Sequence, residues 1–485
     1  MKKGIIYILS ISCLFQIGCS DDFLETEPSE QLSLEQIAEG AKTNPDIVAG
    51  TITGLYALMY LPGTGGLENN DDDFGQKGVD IWSDMLSGDI AHQSTVFEWY
   101  RDFSALQSTT DFTADENFQV WRYYYRIIRS TNSVIASLGG NDATPELTEN
   151  KHFMGQAKAM RAYCYFYLSQ LYADSYDPAK EILPLYITPT IIAQAKAKTS
   201  DIFAQIIGDL EDSISLLDDF NRQFKNEINV SVAKSLLAYT YAAMGEYSKT
   251  KTLTQEVIET GEFTIMDEAS MTGGFNDINT LGWMWGIDLT PEMNLSLATW
   301  WAQMDVFTFG YQSSGNEKAI DNNLFDLIPD DDVRKNQFDE DLLPSNKFYD
   351  PAREWDGQRP VVTDYLYMRI SEIYLLNAEA AAKENMEMDA KTSLRAVISQ
   401  RVPDASYIDN LTGQALLDEI YLQTRIELWG EGKSYLALKR NKGTVTRGPN
   451  HLTFVGEEIN YDDDRLSLEI PQSEIQNNTF INSQN

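Results

Sequence analysis

Cysteine is nearly missing from this sequence, with three in 485 residues. Cys13 and Cys19 fall in the N-terminal segment, so Cys164 is left alone in the body and no intrachain disulfide framework can form there. Histidine is equally scarce: His92, His152 and His451 are too far apart to suggest a zinc site or a His-based nucleophilic triad. Positive charge is short as well. Against 74 acidic residues stand 37 Lys and Arg, a net charge of −37, and such a surface repels nucleic acid and anionic lipid while suiting neutral or basic ligands.

What is present begins with an export signal. Lys2 and Lys3 precede a short apolar run, IIYILSISCLFQI, which is too short to span a bilayer and ends at Gly18-Cys19. Residues 1–18 are expected to be a lipoprotein signal peptide, with Cys19 the acylated first residue of the mature chain, although Gln16 stands where a branched apolar residue is usual. Residues 19–45, opening on the acidic and aperiodic SDDFLETEPSEQ, read as a tether, so membrane attachment would come from the acyl chains alone. The remainder, 46–485, is near the upper limit for one hydrophobic core and is expected to be a single body with insertions.

Apolar residues at i, i+3, i+4 and i+7 mark helical blocks starting at Ile47, Phe118, Phe153, Asp201, Ser231, Ser248, Tyr367 and Gly413. Within AMRAYCYFYLSQLY, Ala157, Met160, Cys164, Leu168 and Leu171 share one helical face, which makes Cys164 a packing residue rather than a nucleophile. Two blocks carry the small-residue and aromatic offsets of a tetratricopeptide helix pair: Ala238, Tyr241, Gly245, Tyr247 and Val257 in one, Ala378, Ala381, Asn385, Ala390, Leu394 and Val397 in the other. Asn385 stands in place of the turn glycine and Thr250 in place of an alanine. Between the blocks lie stretches without helix period, about 62–113 and 263–364, which hold Trp82, Trp99, Trp283, Trp285, Trp300, Trp301 and Trp355. Loops of that length inside a compact chain are usually functional. WMWGIDL reads as a small strand whose Trp283 and Trp285 belong to the core.

An ordered series of segments resembles the SusD/RagB family across the whole mature chain: DDFLETEP, then WRYYYRIIRSTNSVI, GQAKAMRAYCYFYLSQLYAD, VSVAKSLLAYTYAAMGEY, YLYMRISEIYLLNAEAAAK, TRIELWGEGKSYLALKR and LEIPQSEIQNN. Lys433 and Ala437 depart from the usual Arg and Asp. The resemblance implies a mainly α fold, a right-handed α-α superhelix of tetratricopeptide-like helix pairs with a loop-rich ligand-facing subdomain and a few short strands. It also implies an outer-membrane lipoprotein that binds glycan, has no catalytic role, and passes its ligand to a SusC-like TonB-dependent transporter. Ser20, Asp21 and Asp22 match a signal for display on the exterior face in some such lipoproteins.

Sugar recognition needs flat apolar rings for the C–H faces and nearby polar groups for the hydroxyls. FEWYRDF offers Trp99, Tyr100 and Arg101, LATWWAQMD offers Trp300 and Trp301, and FGYQSSGN offers Tyr311. If Trp300 and Trp301 lie on a strand, only one of them need be buried. Asp71, Asp72 and Asp73 form an acidic loop whose carboxylates suit sugar hydroxyls, with Asp73 the expected ligand contact, or a structural calcium, although the calcium-loop pattern is incomplete; no other cofactor is expected. Arg161, Glu379, Arg425 and Glu427 read as helix-to-helix ion pairs rather than an active site. Two rivals remain: a peptide or glycopeptide receptor, and a surface glycosidase, which needs two carboxylates roughly 5 to 10 Å apart.

Overall fold

The computed structural model describes residues 33–66, 71–354 and 361–485. The expected signal peptide, Cys19 and most of the tether lie outside the described residues, as does Trp355. Within the stretch read as tether, Leu34–Ala41 forms a helix, started by a capping box in which the Ser33 hydroxyl accepts from Gln36 N–H and the Gln36 side chain accepts from Ser33 N–H.

The chain is mainly α, as its periodicity predicts. Helices Asp115–Ser137, Thr148–Leu171 and Thr199–Leu216 pack in sequence order, each on the next. Cys164 is fully buried among them. The two tetratricopeptide-like pairs follow: Val230–Ala243 with Tyr247–Glu259, and Ile370–Lys383 with Glu387–Ile398. Their turns are alike. Gly245 at φ +79° and Asn385 at φ +61° both take the left-handed conformation, and the next residue's N–H, Glu246 or Met386, reaches back to Tyr241 or Ala381 carbonyl at 2.9 and 2.8 Å. Asparagine visits this region at modest cost, which explains how Asn385 substitutes for glycine. Thr250 is equally accommodated, its buried hydroxyl donating to the Ala238 carbonyl across the pair at 3.3 Å.

Although separated in sequence, the two pairs stack in space. Tyr247–Glu259 lies against Ile370–Lys383, where the Asn377 amide donates to Thr254 Oγ1 at 2.8 Å and the Lys251 carbonyl at 3.2 Å. The intervening 263–364 is thereby extruded as a loop-rich subdomain. Short antiparallel strand pairs pin it: Trp283–Ile287 with Tyr365–Arg369, and Ile90–His92 with Lys318–Ile320. Trp283 and Trp285 are buried, as their alternation predicts. No described helix is long and apolar enough to cross a membrane.

The aperiodic reading of 62–113 is corrected at one point. Gln76–Leu86 is a helix with every residue buried: Val79, Trp82, Met85 and Leu86 recur at helical spacing on one face, and the opposite face of Gln76, Lys77, Asp80 and Asp84 is covered by protein instead of water. Several of its polar groups are matched internally. Lys77 pairs with Asp80 at 2.9 Å, and Asp84 Oδ2 accepts from Gly432 N–H at 3.0 Å. Gly432 is required there: at φ +74°, a Cβ would lie 2.5 Å from Asp80 Oδ1.

Charged side chains knit the helices together. Arg161 holds Asp209 through two bonds of 2.8 and 2.7 Å, Arg440 pairs with Glu379, and Arg425 with Asp89. Glu427 sits at the centre of three guanidinium groups, those of Arg369, Arg401 and Arg334, at 2.6, 2.8 and 3.3 Å. Burial alone would raise its carboxyl, but Arg401 and Arg369 hold it well below the ordinary range. These positions are structural ion pairs, as read from sequence.

Candidate functional site

The paired strands Ile90–His92 and Lys318–Ile320 continue outward as a ladder without regular strand geometry: Gln93 N–H donates to the Glu317 carbonyl, and the Ser94 hydroxyl to the Gly315 carbonyl at 2.7 Å. This ladder brings the loops around Trp99 and Tyr311 side by side. His92, at its inner end, is held between Ser104 Oγ and Asn316 Oδ1, and burial together with Lys318 pushes its imidazole down to about 3, so it stays neutral.

The loop beyond is unusually constrained. Glu98, Tyr100 and Leu106 all have positive φ, at 62°, 67° and 54°, a conformation costly for side chains of this size. Its effect is to turn consecutive residues apart. Tyr100 goes inward, 3% exposed, with Lys318 Nζ 4.7 Å above its ring. Phe97 points outward, 49% exposed, and Trp99 lies half-buried between, its carbonyl accepting from Asn316 Nδ2 at 3.2 Å. Tyr311 completes the cluster, edge-on to Phe97 at 5.5 Å and to Trp99 at 6.0 Å between ring centroids. Asp71 accepts the hydroxyl of Tyr311. Arg101, exposed, is tied to Glu98 at 2.6 Å and Asp102 at 3.1 Å.

Of the candidates named from sequence, Trp99, Arg101 and Tyr311 therefore meet at one surface. The others do not. Trp300 and Trp301 lie on a short helix, Trp300–Met304, and not on a strand, and both are buried, at 3% and 1% exposure. Trp300 packs on Phe348 under Lys77, and Trp301 Nε1 donates to the Thr363 carbonyl at 2.6 Å. Neither presents a ring to ligand. Tyr100 and Asp73 leave the rim as well: Tyr100 turns inward to line the cleft beside it, and Asp73 is buried and accepts from Gly65 N–H at 2.9 Å, fixing the preceding turn. Among the described residues no group of three or more His, Cys, Asp or Glu is placed to hold a metal ion.

Phe97 was missed in the sequence reading, because nothing in FEWYRDF distinguishes an outward aromatic from a core one. The cleft beside the rim was missed too. It has a volume of about 550 Å³ and is lined by residues of the Trp99 loop and of the segment 107–116, with Asp72 at its floor.

Comparison with known proteins agrees with this architecture. A SusD-like family model, described as starch-binding associating with outer membrane, matches residues 70–242, and the SusD family model matches residues 308–485. A SusD-like carbohydrate binding protein from Bacteroides vulgatus superposes with a TM-score of 0.76 at 24% identity, over 90% of this chain and 96% of its own. Surface glycan-binding protein A from Bacteroides thetaiotaomicron, in complex with laminarihexaose, superposes with a TM-score of 0.68 at 15% identity, over 91% and 99%. SusD-like protein P25 of Formosa agariphila is 23% identical over 219 residues, so the match spans 44% of this chain and 37% of that relative. The helix pairs, the extruded loop subdomain and these matches together establish that the protein belongs to the SusD/RagB family.

Proposed function

We propose that this protein is a lipid-anchored receptor at the outer membrane that captures an oligosaccharide on its aromatic rim and delivers it to a SusC-like TonB-dependent transporter. The observation that carries the reading is the meeting of Phe97, Trp99 and Tyr311 at an open surface beside a cleft of sugar size. Pyranose rings stack on such faces, and Arg101 stands next to them with a guanidinium able to donate to hydroxyls.

The strained loop fits a binding role. Backbone held at positive φ by surrounding structure keeps Trp99 in place before ligand arrives, which lowers the ordering cost of binding. Tyr100, buried beneath with Lys318 over its ring, supports that loop. Binding without cleavage is the role proposed, with Cys19 as the acylated anchor and the exterior face as the side of display.

Calorimetry of the mature protein against a panel of plant, host-mucin and microbial oligosaccharides tests the reading, with Trp99→Ala and Tyr311→Ala alongside. Binding that is lost in both folded variants supports it. Binding that both variants retain would place the glycan elsewhere, and release of shortened product would make the protein an enzyme.

A further inference from the structure

The cleft beside the rim is walled with acid: Asp72, Glu98, Asp102, Asp111, Asp115 and Glu116 line it, and among its described lining residues Arg101 is the cation. Arg101 is already engaged at the mouth by Glu98 and Asp102. Deeper in, Glu116 accepts from Ser108 Oγ at 3.0 Å, while Asp72 Oδ1 and the Tyr100 hydroxyl are buried without a hydrogen-bond partner. Both side chains line the cleft and are more than nine-tenths buried, at 5% and 3% exposure.

Native interiors seldom leave such atoms unmatched, and an unmatched carboxyl oxygen on a residue that lines a cavity marks a place for a donor. The nearest buried cation does not fill it. Lys318 lies over the ring face of Tyr100, and its ammonium is taken up by Gln303 Oε1 at 2.9 Å and the Asn316 carbonyl at 3.1 Å. Burial, with Glu116 and Asp73 adding their charge, pushes the Asp72 carboxyl up to about 8, and burial raises Glu116 as well. The floor is thus short of positive charge. The described carboxylates are spread along the cleft rather than gathered for a metal ion, which suits a larger organic cation.

We propose that this cleft receives the protonated amino group of an amino sugar, so that the glycan held on the Phe97, Trp99 and Tyr311 rim is one bearing free, non-acetylated amines. The inference rests on the glycan reading of the rim. An ammonium carries three donors, matching Asp72 Oδ1, the Tyr100 hydroxyl oxygen and the Glu116 carboxylate, and the ring that bears it supplies the flat face for stacking.

The test is calorimetry of the mature protein with three probes: a glucosamine hexasaccharide, its fully N-acetylated counterpart, and hexalysine. The free-amine hexasaccharide is expected to bind about tenfold or more tightly than the acetylated one. Asp72→Asn combined with Glu116→Gln is expected to abolish that preference, while Trp99→Ala weakens both sugars. Should the double variant not fold, the preference of the wild-type protein must shrink as salt is raised. Equal binding of the two sugars overturns the amine assignment and leaves the glycan reading standing. Failure of both sugars overturns the amine assignment while the oligosaccharide panel decides the glycan reading separately, and binding of hexalysine without the glucosamine probe overturns the sugar in favour of a basic peptide.

Discussion

The rings of Trp99 and Tyr311 meet edge to face, 6.0 Å between centroids and 73° between planes, although they arrive from separate loops. The ladder from Ile90 to Val96 against Gly315 to Ile320 makes that meeting possible, and Asp71 fixes the Tyr311 hydroxyl. Tyr311→Phe keeps the ring and removes that anchor. It is therefore expected to bind glycan only severalfold more weakly than wild type, whereas Tyr311→Ala loses on the order of 2 kcal/mol, about thirtyfold. Calorimetric Kd values for the pair of variants check the difference.

Glu427 is the most heavily shared carboxylate in the interior, bonded by Arg369, Arg401 and Arg334. Removing it leaves buried guanidinium groups uncompensated. Glu427→Ala is expected to cost about 3–5 kcal/mol of stability, read by chemical denaturation. Glycan binding by the fraction that remains folded should be unchanged, because the rim is not built on this group.

Asp72 gives a pH dependence of definite sign. Its carboxyl in the folded chain is pushed up to about 8 from 3.8, chiefly by burial, so the folded state keeps a proton that the unfolded chain has released. Its contribution to stability is fully present below pH 3.8 and is lost as pH rises through about 8. Asp72→Asn, which stays neutral, should therefore gain in Tm relative to wild type as pH rises from about 4 to about 8, and gain no more beyond. Parallel melting curves across that range measure it.

The two helix-pair turns offer a controlled comparison of backbone cost. Gly245→Ala puts a side chain at φ +79° where a Cβ would meet nothing within 4 Å, so any loss reports backbone alone. About 1 kcal/mol is expected. Asn385→Gly, at φ +61°, should instead be neutral or slightly stabilising, and thermal unfolding separates the two.

Much of this was legible in the sequence, and the remainder was hidden for physical reasons. Helices with one wet face announced themselves by period, and the offsets around Ala238 and Ala378 gave both tetratricopeptide-like pairs, including the role of Asn385. Gln76–Leu86 carries the same apolar spacing at Val79, Trp82 and Leu86, but it is short and set among Gly- and Asp-rich turns that read as loop. Trp300 and Trp301 misled for a different reason. Adjacent aromatics look like a surface platform only if the backbone is extended, and Thr299 caps a short helix there, accepting from Ala302 N–H at 3.4 Å. The cleft was out of reach because Asp72, Tyr100 and Glu116 converge only through tertiary packing.

The central claim is that the Trp99 rim is the capture surface, and affinity of the mature protein for an oligosaccharide panel, measured beside Trp99→Ala with its fold checked by circular dichroism, tests it most directly. The account predicts at least one glycan bound by wild type and weakened on the order of thirtyfold in the variant. Undiminished binding by a folded Trp99→Ala protein would contradict it.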